Sequence, residues 1–201
     1  MSKIVFYWHP MSSATPIACA LAELDVPHER VKIDITTGEQ RRPDYLALNP
    51  NGKVPTLTVD GAPMFEALAI ELWLGQTYGV QRGLWPAAGT PQSLQAMAWS
   101  TWAYVTYGAQ LLRLQASKDL GTPDDGHGTA ARKELDALLA LLEARLSRQP
   151  WMLGDTYTLV DLIVASVIGY SAYIGAPVAS HPATLSWLNK VQLRPSMQVD
   201  G

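Results

Sequence analysis

Cysteine is almost absent from this chain: the 201 residues contain a single one, Cys19, which excludes an intramolecular disulfide and any Cys-x-x-Cys redox pair. Positive charge is not in excess either. The formal net charge is −3 and the Lys and Arg residues are scattered, which argues against a surface for nucleic acid or for an anionic membrane. No apolar run approaches the ~18 residues of a membrane-spanning helix, and the N-terminus reaches a polar turn too early for a signal peptide. We therefore expect a cytoplasmic protein whose partners include neither nucleic acid nor membrane.

Metal-ligand patterns are lacking as well. The four histidines show no ligand spacing and the one cysteine cannot complete a set, so we expect no metal site. Cys19 itself falls in the apolar run Ile17-Ala-Cys-Ala-Leu-Ala of a predicted helix. We interpret it as a small buried hydrophobic residue, because free cysteines are often buried.

What the chain does contain is a change of pattern near residue 80. Before this point short strands and helices alternate; we predict strands at 3–8, 28–33, 56–59 and 63–65, and helices at 13–24, 42–48 and 66–78. Residues 79–91 are rich in Gly, Pro and Ala, and helices are predicted after them at 93–117, 129–148 and 182–191. The pattern predicts one domain over 1–80, a linker over 81–90 and an all-helical domain over 91–201.

A folding signal lies inside the second domain. Thr158-Leu-Val-Asp161 has the spacing of a capping box, with Asp in place of the usual Glu. We assign Thr158 and Asp161 to the start of a helix and not to chemistry.

The most informative segment is Asn49-Pro-Asn-Gly-Lys-Val-Pro-Thr-Leu, followed after one short strand by Phe65-Glu-Ala-Leu-Ala-Ile-Glu. A cis bond between Val54 and Pro55 would expose a flat backbone edge at the start of the strand, where a peptide ligand can pair. Glu66 begins the next helical pattern, so its carboxylate and the free N–H groups of the first turn would face the same ligand. A carboxylate beside N–H donors suits a zwitterionic peptide.

Together with the turn His9-Pro-Met-Ser-Ser-Ala-Thr, these motifs resemble the glutathione transferase superfamily, and the resemblance covers nearly the whole chain. The turn is similar to that of the serine-type, phi-like branch. The resemblance implies an α/β plus all-α protein: an N-terminal thioredoxin-like domain followed by a C-terminal helical bundle, the glutathione transferase fold. It also implies glutathione as a co-substrate and a homodimer.

The resemblance places the serine that stabilises the glutathione thiolate at Ser12, with Ser13 as the alternative. A hydroxyl at the start of the first helix can donate a hydrogen bond to the sulfur, and the helix dipole adds a smaller effect of the same sign. Serine before a helix is also a common N-cap, so the residue type alone does not decide between binding and folding roles.

By the same resemblance, the backbone of Val54, next to Pro55, pairs with the cysteinyl part of glutathione, and Glu66 accepts from the γ-glutamyl ammonium. Ala67 departs from the family pattern, in which a serine usually helps to hold the γ-glutamyl carboxylate. The backbone N–H of Ala67 remains, but one charged hydrogen bond is lost, which costs roughly 1.5 to 3 kcal/mol of affinity. We therefore expect weak glutathione binding, a modified glutathione as the ligand, or reduced activity.

Basic residues are assigned to the glycyl carboxylate of glutathione in the same way: Lys53, together with Arg41 or Arg42. The two arginines lie in the charged stretch Glu39-Gln-Arg-Arg-Pro-Asp, which is also typical of an ordinary solvated face. Both interpretations of Arg41 and Arg42 stay open on sequence alone.

Aromatic residues are concentrated in the predicted helix at 93–117, too closely spaced for all of them to face one core. We expect some of these rings to line an apolar cleft for a second substrate. Packing in the core or across a dimer seam is the alternative. The pocket predicted in this way comprises Trp8, His9, Trp102, Tyr104 and Tyr107.

We therefore predict a glutathione transferase that conjugates the glutathione thiolate to apolar electrophiles, as in detoxification. Glutathione-dependent reduction of a peroxide or a disulfide would use the same thiolate with a different acceptor, and the sequence does not separate the two reactions. A transferase-like binding or interaction protein without catalysis is the third possibility, and Ala67 favours it slightly.

Overall fold

The computed structural model describes residues 2–122 and 126–198, and the chain divides into two compact units. The first unit ends at Arg82 and also takes in the described segment Pro195–Gln198. The second runs from Gly83 to Arg194. In the described part of the chain, no helix is long and apolar enough to cross a membrane.

The first unit is built on a four-stranded mixed sheet with the order β2-β1-β3-β4. The strands are β1 (Ile4–Trp8), β2 (Glu29–Lys32), β3 (Thr56–Val59) and β4 (Ala62–Phe65). β1 pairs parallel to β2 and antiparallel to β3, and β3 pairs antiparallel to β4. Because β1 and β2 run parallel, the chain must cross over between them, and a helix makes that connection.

The helices of this unit are α1 (Thr15–Glu23), α2 (Pro43–Leu48) and α3 (Ala67–Leu74), and α3 continues as a π-helical turn over Gly75–Gly79. Pro16 lies in the first turn of α1, where its missing N–H costs nothing. Cys19 is buried on α1, as predicted, and burial raises the pKa of its thiol to about 11. The order of strands and helices confirms the predicted thioredoxin-like arrangement.

The second unit is all-helical, which confirms the predicted class of this half of the chain. It contains α4 (Pro91–Thr101), α5 (Gly108–Asp119), α6 (Gly126–Leu146), α7 (Leu159–Tyr173) and α8 (Pro182–Gln192). Helix α7 lies at its centre: residues 159–165 are all buried, and the helix packs against both α4 and α8.

The single helix predicted at 93–117 is interrupted in the structure. A π-helical segment, Trp102–Tyr107, lies between α4 and α5. The N–H of Gly108 bonds back to the carbonyl of Ala103, and a Cβ at Gly108 would lie only 3.3 Å from that oxygen. A glycine therefore lets the wider turn close, a local feature that the hydrophobic pattern does not reveal.

Two buried or half-buried carboxylates fix helix starts in this unit. Asp161 is fully buried and accepts hydrogen bonds from Met152 N, Trp187 Nε1 and Thr158 N at 2.7, 2.8 and 2.9 Å, so the predicted capping box is present and is joined by tertiary donors. Burial raises the pKa of Asp161, against the opposing effect of these hydrogen bonds.

Glu143 of α6 caps the start of α8 from a different helix. Its carboxylate accepts from Ala183 N at 2.9 Å and from Thr184 N at 2.8 Å. Burial acts to raise the pKa of Glu143, but these hydrogen bonds outweigh it and the pKa lies below its usual value. The ionised side chain thus satisfies N–H groups that the helix itself leaves without a partner.

Candidate active site

Sheet topology brings three separate segments to one end of the first unit. Tyr7 lies opposite Thr56, and Thr56 lies opposite Phe65. One end of the sheet is therefore shared by three segments: the turn that follows β1, the loop that precedes β3 and the residue after β4. The predicted site residues from Trp8 to Ser13, from Lys53 to Pro55 and at Glu66 belong to these three segments.

The turn between β1 and α1 is closed by its own polar groups. The ring of His9 donates through Nδ1 to the carbonyl of Ile33 at 2.8 Å. The hydroxyl of Ser12 donates to the carbonyl of His9 at 2.6 Å and accepts from the N–H of Ala14 at 3.1 Å. Ser12 thus lies half-buried one turn before α1, where a hydroxyl oxygen satisfies an N–H at the helix entrance.

Ser13 has a different environment. Its side chain is exposed, and its hydroxyl donates to the carbonyl of Val54 at 2.9 Å. This hydrogen bond joins the serine turn to the backbone edge in front of β3. The structure therefore brings Ser13 into direct contact with the predicted peptide-binding edge, whereas the hydroxyl of Ser12 is hydrogen-bonded within the turn.

The loop in front of β3 is held in place by hydrogen bonds from buried polar side chains. The carbonyl of Lys53 accepts from the hydroxyl of Tyr45 and from Nδ2 of Asn49, both at 2.7 Å. The Tyr45 hydroxyl also lies 2.9 Å from Oγ1 of Thr56, and the Val54–Pro55 bond is cis. Because Tyr45, Asn49 and Thr56 are buried, the edge at Val54 is presented on a fixed support.

Sequence reasoning missed Tyr45 and Asn49 as supports of this loop. Asn49 is the first residue of the Asn-Pro-Asn-Gly-Lys-Val-Pro motif, so its position was a usable signal. Tyr45 is one of the apolar-pattern residues of α2, and nothing in the sequence marks it as a support of the loop. Gly52 of the same motif has φ +57°, and a Cβ there would lie 2.9 Å from the carbonyl of Gln40 and 3.0 Å from the Arg41 guanidinium. Glycine is required at this point of the loop.

Glu66 follows β4 and precedes α3 in a strained backbone conformation, with φ 71° and ψ 115°. Its carboxylate is exposed, and Oε1 accepts from Nδ2 of Asn51 at 3.3 Å. A non-glycine residue at such angles costs about 1–3 kcal/mol, and residues of this kind cluster at active sites and ligand-binding positions. Ala67, the first residue of α3, is buried and brings no hydroxyl to this position.

The basic residues separate into two environments. Arg42, which directly follows a short 3-10 helix at Glu39–Arg41, pairs with Glu39, with Nη1 and Oε1 3.6 Å apart. Arg41 instead lies along the loop, with Nη1 3.5 Å from the carbonyl of Asn51, and Lys53 is exposed within the loop itself. The structure brings Arg41 and Lys53 to the site edge, while Arg42 is engaged with its helical neighbour.

The family models of the glutathione S-transferase N-terminal and C-terminal domains match residues 11–77 and 125–190. Glutathione S-transferase APIC of Nicotiana tabacum is 31% identical over 93% of this chain and 92% of its own length. The chain belongs to the glutathione S-transferase family. Glutathione S-transferase GstB of Escherichia coli (strain K12) is 30% identical over 90% of this chain and 89% of its own. The structure of a sphingomonad glutathione S-transferase complexed with glutathione matches with a TM-score of 0.82 at 26% identity, over 96% of this chain and 94% of that one.

In this glutathione S-transferase family member, the predicted second-substrate residues differ in accessibility. Trp8 is half-buried beneath the guanidinium of Arg30, 3.9 Å from the ring centroid. Trp102 and Tyr104 are half-buried within the π-helical segment. Tyr107 is fully buried and its hydroxyl lies 2.7 Å from Ser171 Oγ; burial raises the pKa of Tyr107 to about 12. The structure thus places Tyr107 in the core of the helical unit, the alternative that its spacing left open.

Over residues 2–122 and 126–198, no group of three or more His, Cys, Asp or Glu side chains is arranged to hold a metal ion.

Proposed function

We propose that this family member binds glutathione at the edge formed by the serine turn, Val54 and Glu66, and conjugates its thiolate to apolar electrophiles. The observation that carries the proposal is the hydrogen bond from Ser13 to the Val54 carbonyl, because it joins the serine turn to the backbone edge that a peptide would pair with. Glu66, whose backbone is strained, lies at the same end of the sheet. A thiol, a peptide backbone and an ammonium group would each find a partner here.

The proposed chemistry needs two things from the protein: a hydrogen-bond donor to the glutathione sulfur and a fixed orientation of the bound glutathione. Lowering the pKa of the glutathione thiol by two units corresponds to about 2.7 kcal/mol of preference for the thiolate. A serine hydroxyl near the start of α1 supplies one hydrogen bond of this kind, and by family resemblance we assign it to Ser12 in a serine-type, phi-like turn. The thiol proton leaves to solvent, and the thiolate sulfur then forms the new bond to the electrophilic carbon; with an aryl halide the carbon–halogen bond breaks and the halide leaves to solvent with the bonding electron pair.

The remaining contacts are proposed from the positions described. The Val54 backbone, next to Pro55, pairs with the cysteinyl part, and Glu66 accepts from the γ-glutamyl ammonium. Lys53 and Arg41 face the glycyl carboxylate, in preference to Arg42, which is paired with Glu39. The half-buried rings at Trp102 and Tyr104 are candidates for contact with the electrophile.

The glutathione site is tested by calorimetric titration of the wild type and Glu66→Ala with reduced glutathione. Loss of the charge-assisted hydrogen bond is expected to raise the Kd about ten- to a hundredfold. Glu29→Ala is the matched control, since Glu29 is an exposed glutamate on the edge strand β2. An unchanged Kd in Glu66→Ala would place the γ-glutamyl group elsewhere. Tight binding of S-hexyl glutathione to the wild type would support an apolar second site.

We also infer a cytoplasmic homodimer. The exposed face of α4 presents large apolar side chains at Leu94 and Met97, which are 71% and 41% exposed and suit contact with a second copy. Light scattering of the purified protein is expected to give twice the chain mass. A monomer mass at micromolar concentration would contradict the inference.

A further inference from the structure

The side chain of Asn51 provides a hydrogen-bond donor beside Glu66 that family resemblance does not assign. Its Nδ2 lies 3.3 Å from Oε1 of Glu66, although the two residues are fifteen positions apart in the chain. The position of Asn51 is set by the loop: its backbone N–H donates to Oδ1 of the buried Asn49 at 3.0 Å, and Gly52 follows with φ +57°. The loop therefore places Asn51 at the γ-glutamyl end of the proposed site, where its amide contacts Glu66.

The same end of the site lacks a side-chain donor at Ala67. A γ-glutamyl group carries its ammonium and its carboxylate on one carbon atom, so the two groups lie only about 3 Å apart. If the ammonium binds Glu66, the carboxylate lies near the N-terminus of α3 and within reach of an amide that already touches Glu66. An asparagine amide has two N–H donors, so it can serve Glu66 and a ligand carboxylate together.

We propose that Asn51 is a substrate-binding residue that donates to the γ-glutamyl carboxylate, in place of the hydroxyl that Ala67 does not provide. This inference rests on the proposed glutathione site. It assigns to Asn51 the recognition of an α-amino acid head group, with Glu66 reading the ammonium and Asn51 together with the backbone N–H of Ala67 reading the carboxylate. The amide is neutral, so it can approach both carboxylates without charge repulsion.

The test uses Asn51→Ala and two peptides, reduced glutathione and 4-aminobutyryl-Cys-Gly, which keeps the amine but lacks the carboxylate. We expect the Kd for glutathione to rise about tenfold in Asn51→Ala, since a hydrogen bond to a charged group is lost. The Kd for 4-aminobutyryl-Cys-Gly should be the same for the variant and the wild type. An equal loss for both peptides, or no loss for glutathione, would overturn the proposal, because Asn51 would then act only on Glu66 or on the loop.

A second variant checks the same idea by rescue. Ala67→Ser introduced into Asn51→Ala should restore most of the lost glutathione affinity, while 4-aminobutyryl-Cys-Gly binding should not respond. Absence of rescue together with equal losses for both peptides argues for a purely structural role. Equal melting temperatures of wild type and Asn51→Ala show that the fold is intact. If the wild type itself fails to bind glutathione, the proposed function fails as well; if it binds and Asn51→Ala binds equally, only this inference fails.

Discussion

Ser12→Ala is expected to lower the rate constant for conjugation by roughly 10- to 1000-fold while leaving the glutathione Kd nearly unchanged, as for the loss of one donor to a developing or stabilised anion. The hydroxyl of Ser12 has one proton, which is donated to the His9 carbonyl at 2.6 Å. Donation to the thiolate requires the hydroxyl to turn from this carbonyl toward the sulfur. The rate constant is measured by stopped-flow or steady-state conjugation to an apolar aryl halide at saturating glutathione.

Ser13→Ala is the matched control for this experiment. Ser13 is the neighbouring serine, and its hydroxyl is bound to the Val54 carbonyl, an atom that the cysteinyl N–H of glutathione would need as an acceptor. We expect this variant to alter glutathione affinity and to leave the rate constant nearly unchanged. If Ser13→Ala instead carries the large loss of rate, the thiolate donor is Ser13. If neither variant slows conjugation, a backbone N–H at the start of α1 performs the role.

A titration of the bound thiol separates activation from positioning. Thiolate absorbance of enzyme-bound glutathione, followed against pH, is expected to show a pKa well below that of free glutathione in the wild type. In Ser12→Ala the pKa should return toward the free value. A thiol pKa that is unshifted in the wild type would favour a binding protein over a transferase.

Asp161→Ala is expected to lower the free energy of unfolding by about 3–5 kcal/mol, the largest stability effect in the molecule that we predict. The reason is that the buried carboxylate accepts from Met152 N, Thr158 N and Trp187 Nε1 within 3 Å. Alanine leaves these donors in the core without an acceptor, and a cavity beside them. For a chain of this size the melting temperature should fall by roughly 6–20 °C.

Two further variants make this prediction specific. Asp161→Asn keeps one carbonyl oxygen but turns an amide N–H₂ toward a donor. We therefore expect a free energy of unfolding intermediate between those of the wild type and Asp161→Ala. Asp155→Ala is the control, because Asp155 is an exposed aspartate in the connection that precedes α7 and should change stability by less than ~0.5 kcal/mol. Chemical denaturation and thermal melting give both quantities. A loss below ~1 kcal/mol in Asp161→Ala would show that the network contributes little.

Local signals in the sequence proved reliable where the relevant contacts span only a few residues. The Thr158–Asp161 capping box was predicted from a four-residue pattern and is present, because its hydrogen bonds join groups within one helical turn. Strand β3 begins and ends where predicted, and the Asp60-Gly61 turn lies between β3 and β4, since turn residues determine such connections directly. The free cysteine was placed in the core by its apolar neighbours.

Other predictions were limited by what the spacing of apolar and aromatic residues can show. An apolar or aromatic period marks one face of a helix but does not say which partner covers that face. This is why the sequence left Tyr107 open between a ligand pocket and the core, where it meets Ser171 from a helix 64 residues away. The π-helical segment before Gly108 went unpredicted for a related reason: a single glycine has many uses, and only the close approach to Ala103 identifies this one.

The sequence by itself determined the family resemblance, the two classes of fold and local features such as strand β3 and the Thr158–Asp161 capping box, because motifs and periodicity are properties of neighbouring residues. Only the tertiary structure decided which distant groups form hydrogen bonds. These pairs are Ser13 with the Val54 carbonyl, Tyr45 with the Lys53 carbonyl, Trp187 with Asp161, and Asn51 with Glu66. Each of these contacts depends on strand pairing or helix packing that brings remote segments within hydrogen-bond distance. No local pattern encodes such a distance, so the binding edge and its supports became visible only in three dimensions.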